Sequence, residues 1–323
     1  MSGAITPLAA TVQRYLTLKR SLGRRYAFEE TALTSLTDFL AAGGLSDLDQ
    51  ASFEAWCRTH EHLNANVRRN HQRIARNLCL YRRRSEPTCF VPDANLFVRS
   101  CPHAAPVIFG SAEVARLLGA ARELRPRSNS PLRAQVVRLA IVLLYTAGLR
   151  RGELLRLTLG DIDREHGTLR IRASKFHKSR TVPLSMSART ELDAYLSQRH
   201  GPRLSDAPSA PLLCNTNGGQ RAYTGTGISD AIKQLYDVAG VRGCDGRRPR
   251  IHDFRHSFAV QALLRWYREG ADVQSKLPHL AMYMGHVSIV STAYYLKLIP
   301  AVAEMASARF EAHYGHLISG GPE

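Results

Sequence analysis

Residues 85–106 contain Pro87, Pro92, Pro102 and Pro106 and almost no hydrophobic periodicity. Proline fixes φ and lacks an N–H, so neither a helix nor a central strand runs through such a stretch. The chain must therefore build its cores on either side of it, and 323 residues is ample for two without metal or disulfide staples. On this reading 1–86 is one domain, 87–106 a linker and 107–323 a second domain. In the first, Leu8–Leu22, Glu29–Ala42, Ala51–Thr59 and Asn64–Arg83 carry apolar residues three and four apart and read as helices, with Asp47 and Ser52 as candidate caps. The second opens with helical patterns at Ser111–Ala121, Arg133–Thr146 and Arg151–Leu157. Two alternating runs follow, Thr168–Ala173 and Arg180–Leu184, a β-hairpin turning through Ser174–Ser179. Helices resume over 187–199, 227–239, 254–269, 276–284, 288–298 and 301–314. The expected class is mainly α with a small antiparallel hairpin.

Several function classes are excluded. The longest uncharged apolar stretch, Leu139–Leu149, has 11 residues, against about 20 for a membrane helix. The N-terminus lacks the basic-then-apolar layout of a signal peptide, so a soluble cytoplasmic protein is expected. Cys57, Cys79, Cys89, Cys101, Cys214 and Cys244 lie far apart, without zinc-finger spacing, and read as reduced, mostly packing residues. No metal site is expected. The formal charge of +17 favours a polyanion, and without a membrane anchor nucleic acid leads. That surplus divides as +5 over 1–106 and +12 over 107–323. It peaks in Asn66–Arg84, which holds Arg68, Arg69, Arg73, Arg76, Arg82, Arg83 and Arg84 and no acid. Val67, Ile74, Leu78 and Tyr81 fall on one side of that helix, with Arg68, Arg69, Arg73 and Arg76 opposite. A charge run is usually a solvated face. This one has no acidic relief, so DNA-backbone contact is the expectation.

Five further patterns are weak singly. Arg150 and Glu153, in Thr146-Ala-Gly-Leu-Arg-Arg-Gly-Glu, lie three apart on one helical face, where the carboxylate orients the guanidinium or simply makes a surface ion pair. The expected turn Ser174–Ser179 holds Lys175 and Lys178, two of only six lysines beside 38 arginines. A lysine gives up a proton where arginine does not, although most turn lysines are merely solvated. His252-Asp-Phe-Arg255 opens an apolar helix, an anion-friendly place. Gly285-His286 exposes an imidazole after a turn, and Tyr295 follows nine residues later.

Taken in order, Arg150, Lys175, His252-x-x-Arg255, Gly285-His286 and Tyr295 resemble the tyrosine recombinase (phage integrase) family. The likeness runs from about Ile141 to Leu298, and the helical region before it resembles the family's core-binding domain. The long, Trp-containing interval between Arg255 and His286 resembles transposon-borne recombinases of the multi-recombinase type. Phe254 and Met284 stand where the family usually has Leu. The resemblance implies strand cleavage and rejoining through a 3′-phosphotyrosyl link, without metal or nucleotide cofactor. It gives Tyr295 as nucleophile, Arg150 and Arg255 as phosphate clamps, and Lys175 as the acid for the leaving 5′-oxygen. His252 and His286 would bind the phosphate, His252 also aiding tyrosine deprotonation, with Glu153 in support. Lys178 joins the arginine helix as a DNA contact. The implied partners are duplex target sites, a homo-tetramer across two of them, and sibling recombinases or accessory proteins. A tail helix over about 300–314 would dock in cis or on a neighbouring subunit. A type IB topoisomerase and a non-catalytic DNA-binding regulator are the alternatives.

Overall fold

The computed structural model describes residues 7–102, 104–172, 179–199, 204–216, 220–286, 288–298 and 311. The chain forms two compact units, Met1–Ala104 and Ala105–Glu323.

The first unit is helical: α1 (Pro7–Ser21), α2 (Ala27–Ala42), α3 (Gln50–Arg58) and α4 (Ala65–Arg82). Leu8, Leu16, Leu33, Leu36, Leu40, Trp56 and Leu78 close its core. The start of α3 is fixed by a capping box, in which Asp49 accepts from the Ser52 amide and Ser52 Oγ accepts from the Asp49 amide. Ser52 thus belongs to the cap, whereas Asp47 has another use. Arg82 is 8% exposed and makes a two-pronged ion pair with Asp47 and a second pair with Glu86. Its expected place among DNA-contact arginines is corrected: Arg82 lies on the helix face that also buries Ala75, Leu78 and Cys79. Val67, expected inside, is 36% exposed.

The proline-containing stretch after α4 is not a free tether as far as Cys101. Phe97 enters the helical core, the Gln72 side chain accepts from the Val98 amide (3.0 Å), and Asn66 bonds both backbone groups of Cys101. Regular structure there is limited to one 3₁₀ turn, Ala94–Leu96, but the segment's backbone groups still need partners, and α4 side chains supply several of them.

The second unit is built round α6 (Arg133–Thr146), almost wholly buried from Val136 to Leu144. It packs against α5 (Ser111–Arg122), α8 (Met186–Arg199) and α10 (His252–Arg268). A forked Arg138–Glu191 pair (2.6 and 2.9 Å) ties α6 to α8. Between α6 and α8 lie α7 (Arg151–Leu154) and the antiparallel sheet β1 (Ile162–Asp163), β2 (Thr168–Ile171) and β3 (Arg180–Pro183), with Leu169 opposite Val182. The hairpin forms at the expected place, and β1 adds a short third strand. Its turn, with Lys175 and Lys178, lies outside the described residues, as does the tail helix over 300–314 apart from Glu311. A second pair, β4 (Cys214–Asn215) and β5 (Arg221–Ala222), precedes α9 (Gly225–Val238). After α10 come α11 (Val273–Met284), α12 (Val290–Ala293) and a 3₁₀ segment, Tyr294–Leu298. The helix expected over 288–298 is thus split. Phe254, unusual beside the family's Leu, is fully buried and stacks on Phe109 at 4.5 Å. Ser257 Oγ accepts from the Phe109 amide, fixing the first turns of α10.

No helix among the described residues is long and apolar enough to cross a membrane. All six cysteines are free, and Cys101 and Cys244 are exposed rather than packed.

Candidate active site

The site is organised by a helix end. The last carbonyls of an α-helix have no intrahelical donor and carry the negative end of its dipole. At the end of α11, three successive carbonyls each take an arginine. Arg180 Nε donates to Tyr283 O (2.7 Å), Arg255 Nη2 to Met284 O, and Arg150 Nη2 to Gly285 O (2.8 Å). The chain can turn there because Gly285 adopts φ +65°, and the His286 amide reaches back to Ala281 O (2.8 Å). A Cβ on Gly285 would lie 3.1 Å from the Arg180 guanidinium. Gly148 is the counterpart after α6. It has φ +58°, its carbonyl accepts from Arg255 Nη1 (2.6 Å), and a Cβ would sit 2.6 Å from the Phe258 ring.

Glu153 joins two of the three arginines. Its side chain is 1% exposed, and it accepts from Arg150 Nη1 (2.7 Å), the Arg150 amide (3.0 Å) and both terminal nitrogens of Arg180 (2.9 and 3.1 Å). Burial alone would raise its pKa. The Arg180 hydrogen bonds, the Arg150 amide and Arg150 itself outweigh that and bring it to about 2. The i,i+3 pair expected from sequence is therefore real and buried. Arg180 is the member that sequence reading missed. Its signal was the period of two along β3, which puts Arg180 on the same side as the buried Val182.

Arg255 is 1% exposed and has no carboxylate partner among the described residues. Burial, and then the charge of Arg150, lower its pKa to about 10. It stays a cation at neutral pH, held by carbonyls that leave its charge uncancelled. Tyr295 is 3% exposed beside it. Burial raises the phenol, and Arg255 and Arg150 oppose that rise. The neighbouring Tyr294 is 45% exposed.

Two histidines, His286 and His256, face Tyr295, and a third, His252, lies behind His256. The His286 ring lies 6.1 Å from that of Tyr295 at 21°, and its Nδ1 meets Thr292 Oγ1 at 2.7 Å, leaving Nε2 for a ligand. Burial and the Arg255 charge press His286 down to about 4. His252, in the first turn of α10, is lowered by desolvation and then by Arg255 and Arg150. His256, one turn on, was not foreseen. Its ring packs edge-on between His252 (4.7 Å) and Tyr295 (5.5 Å), and it too falls to about 4, chiefly through burial. The i,i+4 spacing from His252 was its legible signal. Thr292 had none.

The structure thus brings together Arg150, Glu153, His252, Arg255, His286 and Tyr295. Beside them a cavity of about 730 Å³ runs from Arg151 past Ser229 and Lys233 to Arg248, Arg250 and His252. The arginines of α4 belong to the other unit and differ among themselves. Arg73, Arg83 and Arg84 are exposed, while Arg68, Arg69 and Arg76 are half-buried. Arg69 donates to Val98 O (2.9 Å) and Arg76 to Pro92 O.

The sequence pattern of the Phage integrase family matches residues 109–301. The Sinorhizobium fredii protein y4rB, an integrase/recombinase by name, is 32% identical over 305 residues, covering 94% of this chain and 96% of its own. The tyrosine recombinase XerA of Thermococcus kodakarensis is 29% identical over 61% of this chain and 60% of its own. Among solved structures, a Tn1549 transposon integrase in complex with transposon right-end DNA shares the fold at TM-score 0.64 and 18% identity, over 94% of this chain and 98% of that one. The XerH site-specific recombinase bound to its difH substrate does so at 0.63 and 18%, over 88% and 79%.

Proposed function

The chain belongs to the phage integrase family of tyrosine recombinases, and from that premise we propose that it exchanges strands between duplex DNA sites by way of a phosphotyrosyl bond at Tyr295. The observation that carries this residue-level reading is the enclosure of Tyr295 by Arg255, His286 and His256, with Tyr294 left facing out.

The Tyr295 oxygen attacks phosphorus, forming a 3′-phosphotyrosyl ester, and the 5′-oxygen leaves. Negative charge gathers on the non-bridging oxygens, where the Arg255 and Arg150 guanidiniums counter it. Their anchoring by main-chain carbonyls and Glu153 holds them in position before substrate arrives, so little reorganisation is needed. Neutral His286, its Nδ1 occupied by Thr292, offers Nε2 to the phosphate. His256, packed against the phenol, and His252 behind it offer a route for the phenolic proton. Lys175 supplies the proton to the leaving 5′-oxygen on this reading, which rests on its place in the family's order. Rejoining is the same step reversed with a new 5′-hydroxyl. The bond energy is kept in the ester, so no cofactor is called for.

The family also supports a homo-tetramer on two sites, acting on intracellular DNA in integration or transposition. Duplex oligonucleotides nicked close to the cleavage position test the chemistry, because loss of the short fragment traps the covalent intermediate. A denaturation-resistant adduct is expected with the wild type and Tyr294→Phe, and none with Tyr295→Phe. Products joining two duplexes mark a recombinase, and relaxation of supercoils without them a topoisomerase. An adduct that survives Tyr295→Phe overturns the assignment.

A further inference from the structure

On another face of α9 lies a cavity of about 440 Å³ lined by Arg127, Ser130, Arg133, Tyr223, Gly227 and Gln234, among others. Its unusual member is Arg133, in the first turn of α6. The residue is only 8% exposed. Among the described residues it has one hydrogen-bond partner, the neutral Gln234 Oε1 (2.9 Å), and no carboxylate within ion-pair distance. Its pKa is lowered by burial and then by a second cation, Arg127. The one acid lining the cavity, Asp230, is engaged by Lys233 at 3.1 Å. A buried guanidinium facing another guanidinium costs stability unless something anionic completes it.

Two more features converge there. Thr224 caps the 14-residue α9, its Oγ1 accepting from the Gly227 amide, and both residues line this cavity, so the N-terminal end of the helix lies at its wall. That end is electropositive and suits phosphate. Tyr223 Oη and Ser130 Oγ are hydrogen-bonded to each other at the wall, supplying hydroxyls that neutralise nothing. The same helix reaches the candidate active site by its other side, where Ser229 Oγ accepts from Arg151 Nη1 (2.9 Å).

We propose that Arg133, Arg127 and the N-terminus of α9 form a phosphate site that takes one non-scissile phosphodiester of the duplex backbone. The inference rests on the DNA-joining function above. The site holds the duplex in register with the arginines around Tyr295, α9 being the rigid element between the two. It also accounts for Arg133: a charge kept buried and uncompensated in the free protein is compensated by the backbone.

The test uses the full chain with Arg133→Met, which keeps the bulk and removes the charge, and Arg133→Lys, which restores a charge. If the buried charge lacks a protein partner, Arg133→Met melts at the same temperature as wild type or higher. Its duplex binding should weaken five- to tenfold at moderate salt, and the slope of log K against log salt should fall by about 0.9, the value for one neutralised phosphate. Arg133→Lys should recover most of that slope. A series of duplexes with single methylphosphonate linkages should contain one position that weakens wild type and leaves Arg133→Met unchanged. An unaltered slope and affinity in folded Arg133→Met overturns the proposal. So does stabilisation of wild type by inorganic phosphate without any change in the DNA slope, which marks a small-anion site. Covalent adduct formation at Tyr295 is followed in every sample. Its presence with an unaltered slope means this site fails alone, and its absence from wild type means the functional reading fails.

Discussion

The arginines of α4 and those gathered at the end of α11 have the same side chain and opposite arrangements. On α4, the one deeply buried guanidinium, Arg82, is matched by two carboxylates, Asp47 and Glu86. At the end of α11, Arg150 and Arg180 share a single carboxylate, Glu153, Arg255 has none among the described residues, and all three take bonds from main-chain carbonyls. The first arrangement cancels charge and binds helix to loop. The second preserves charge while fixing position, which is what a site for phosphate chemistry requires. Exposure alone does not distinguish the two arrangements, because Arg82 and Arg255 are both buried.

The largest effect that tests this contrast is on chemistry. Arg255→Ala should lower single-turnover cleavage of a nicked duplex by about 10³-fold while duplex affinity changes only a few-fold. An equal loss of affinity and cleavage would make Arg255 a general DNA contact. Next, Glu153→Gln leaves Arg150 and Arg180 facing each other with less restraint. Cleavage should drop roughly 10²-fold through misplacement, and thermal unfolding should report a destabilisation of about 3 kcal/mol.

Arg82→Ala should do the reverse. It should destabilise the first unit by about 1–3 kcal/mol in chemical unfolding and leave the salt slope of DNA binding unchanged. Acid gives a fourth comparison. His256 and His286 are held neutral, with pKa values near 4, against about 6.5 in an unfolded chain. Between those values the unfolded state binds more protons, so stability should be level above about pH 6.5 and decline as pH falls toward 4. Melting temperatures across that range should fall less steeply in His256→Asn. Glu153, near 2 when folded, adds its loss only at more acid pH, below the unfolded carboxylate value. The smallest effects belong to exposed Arg73, Arg83 and Arg84. Each alanine substitution should weaken duplex binding two- to fivefold and flatten the salt slope by at most about 0.9.

Much of this was legible in the chain, and the gaps have physical causes. Periodicity and apolar length located α1–α6 and α8–α11, most of which bury one face, while α6 is buried almost all round. The very short β1, β4 and β5 leave no periodic trace. Arg82 was misread because it sits in a run of three arginines, although it is also four residues before Glu86 and one turn after Leu78. The Arg150–Glu153 pair was visible as local i,i+3 spacing, but its third member, Arg180, arrives from a strand 27 residues later. Nor could sequence show that α11 ends by offering three carbonyls to three arginines, since main-chain acceptors carry no residue-specific mark. For Thr292, placed by the turn after His286, local pattern held no cue at all.

Those main-chain acceptors have an evolutionary corollary. No point substitution removes a carbonyl oxygen, so Tyr283 and Met284 can drift among side chains that keep the fold without unseating Arg180 or Arg255. The freedom ends at the two turns with positive φ. Gly148 and Gly285 hold left-handed conformations at +58° and +65°, which strain any residue with a Cβ, and at Gly148 the Phe258 ring is also too close for one. Inactive descendants of this gene should therefore arise by loss of either glycine as readily as by loss of Tyr295, while the side chains of Tyr283 and Met284 record little but fold-preserving change.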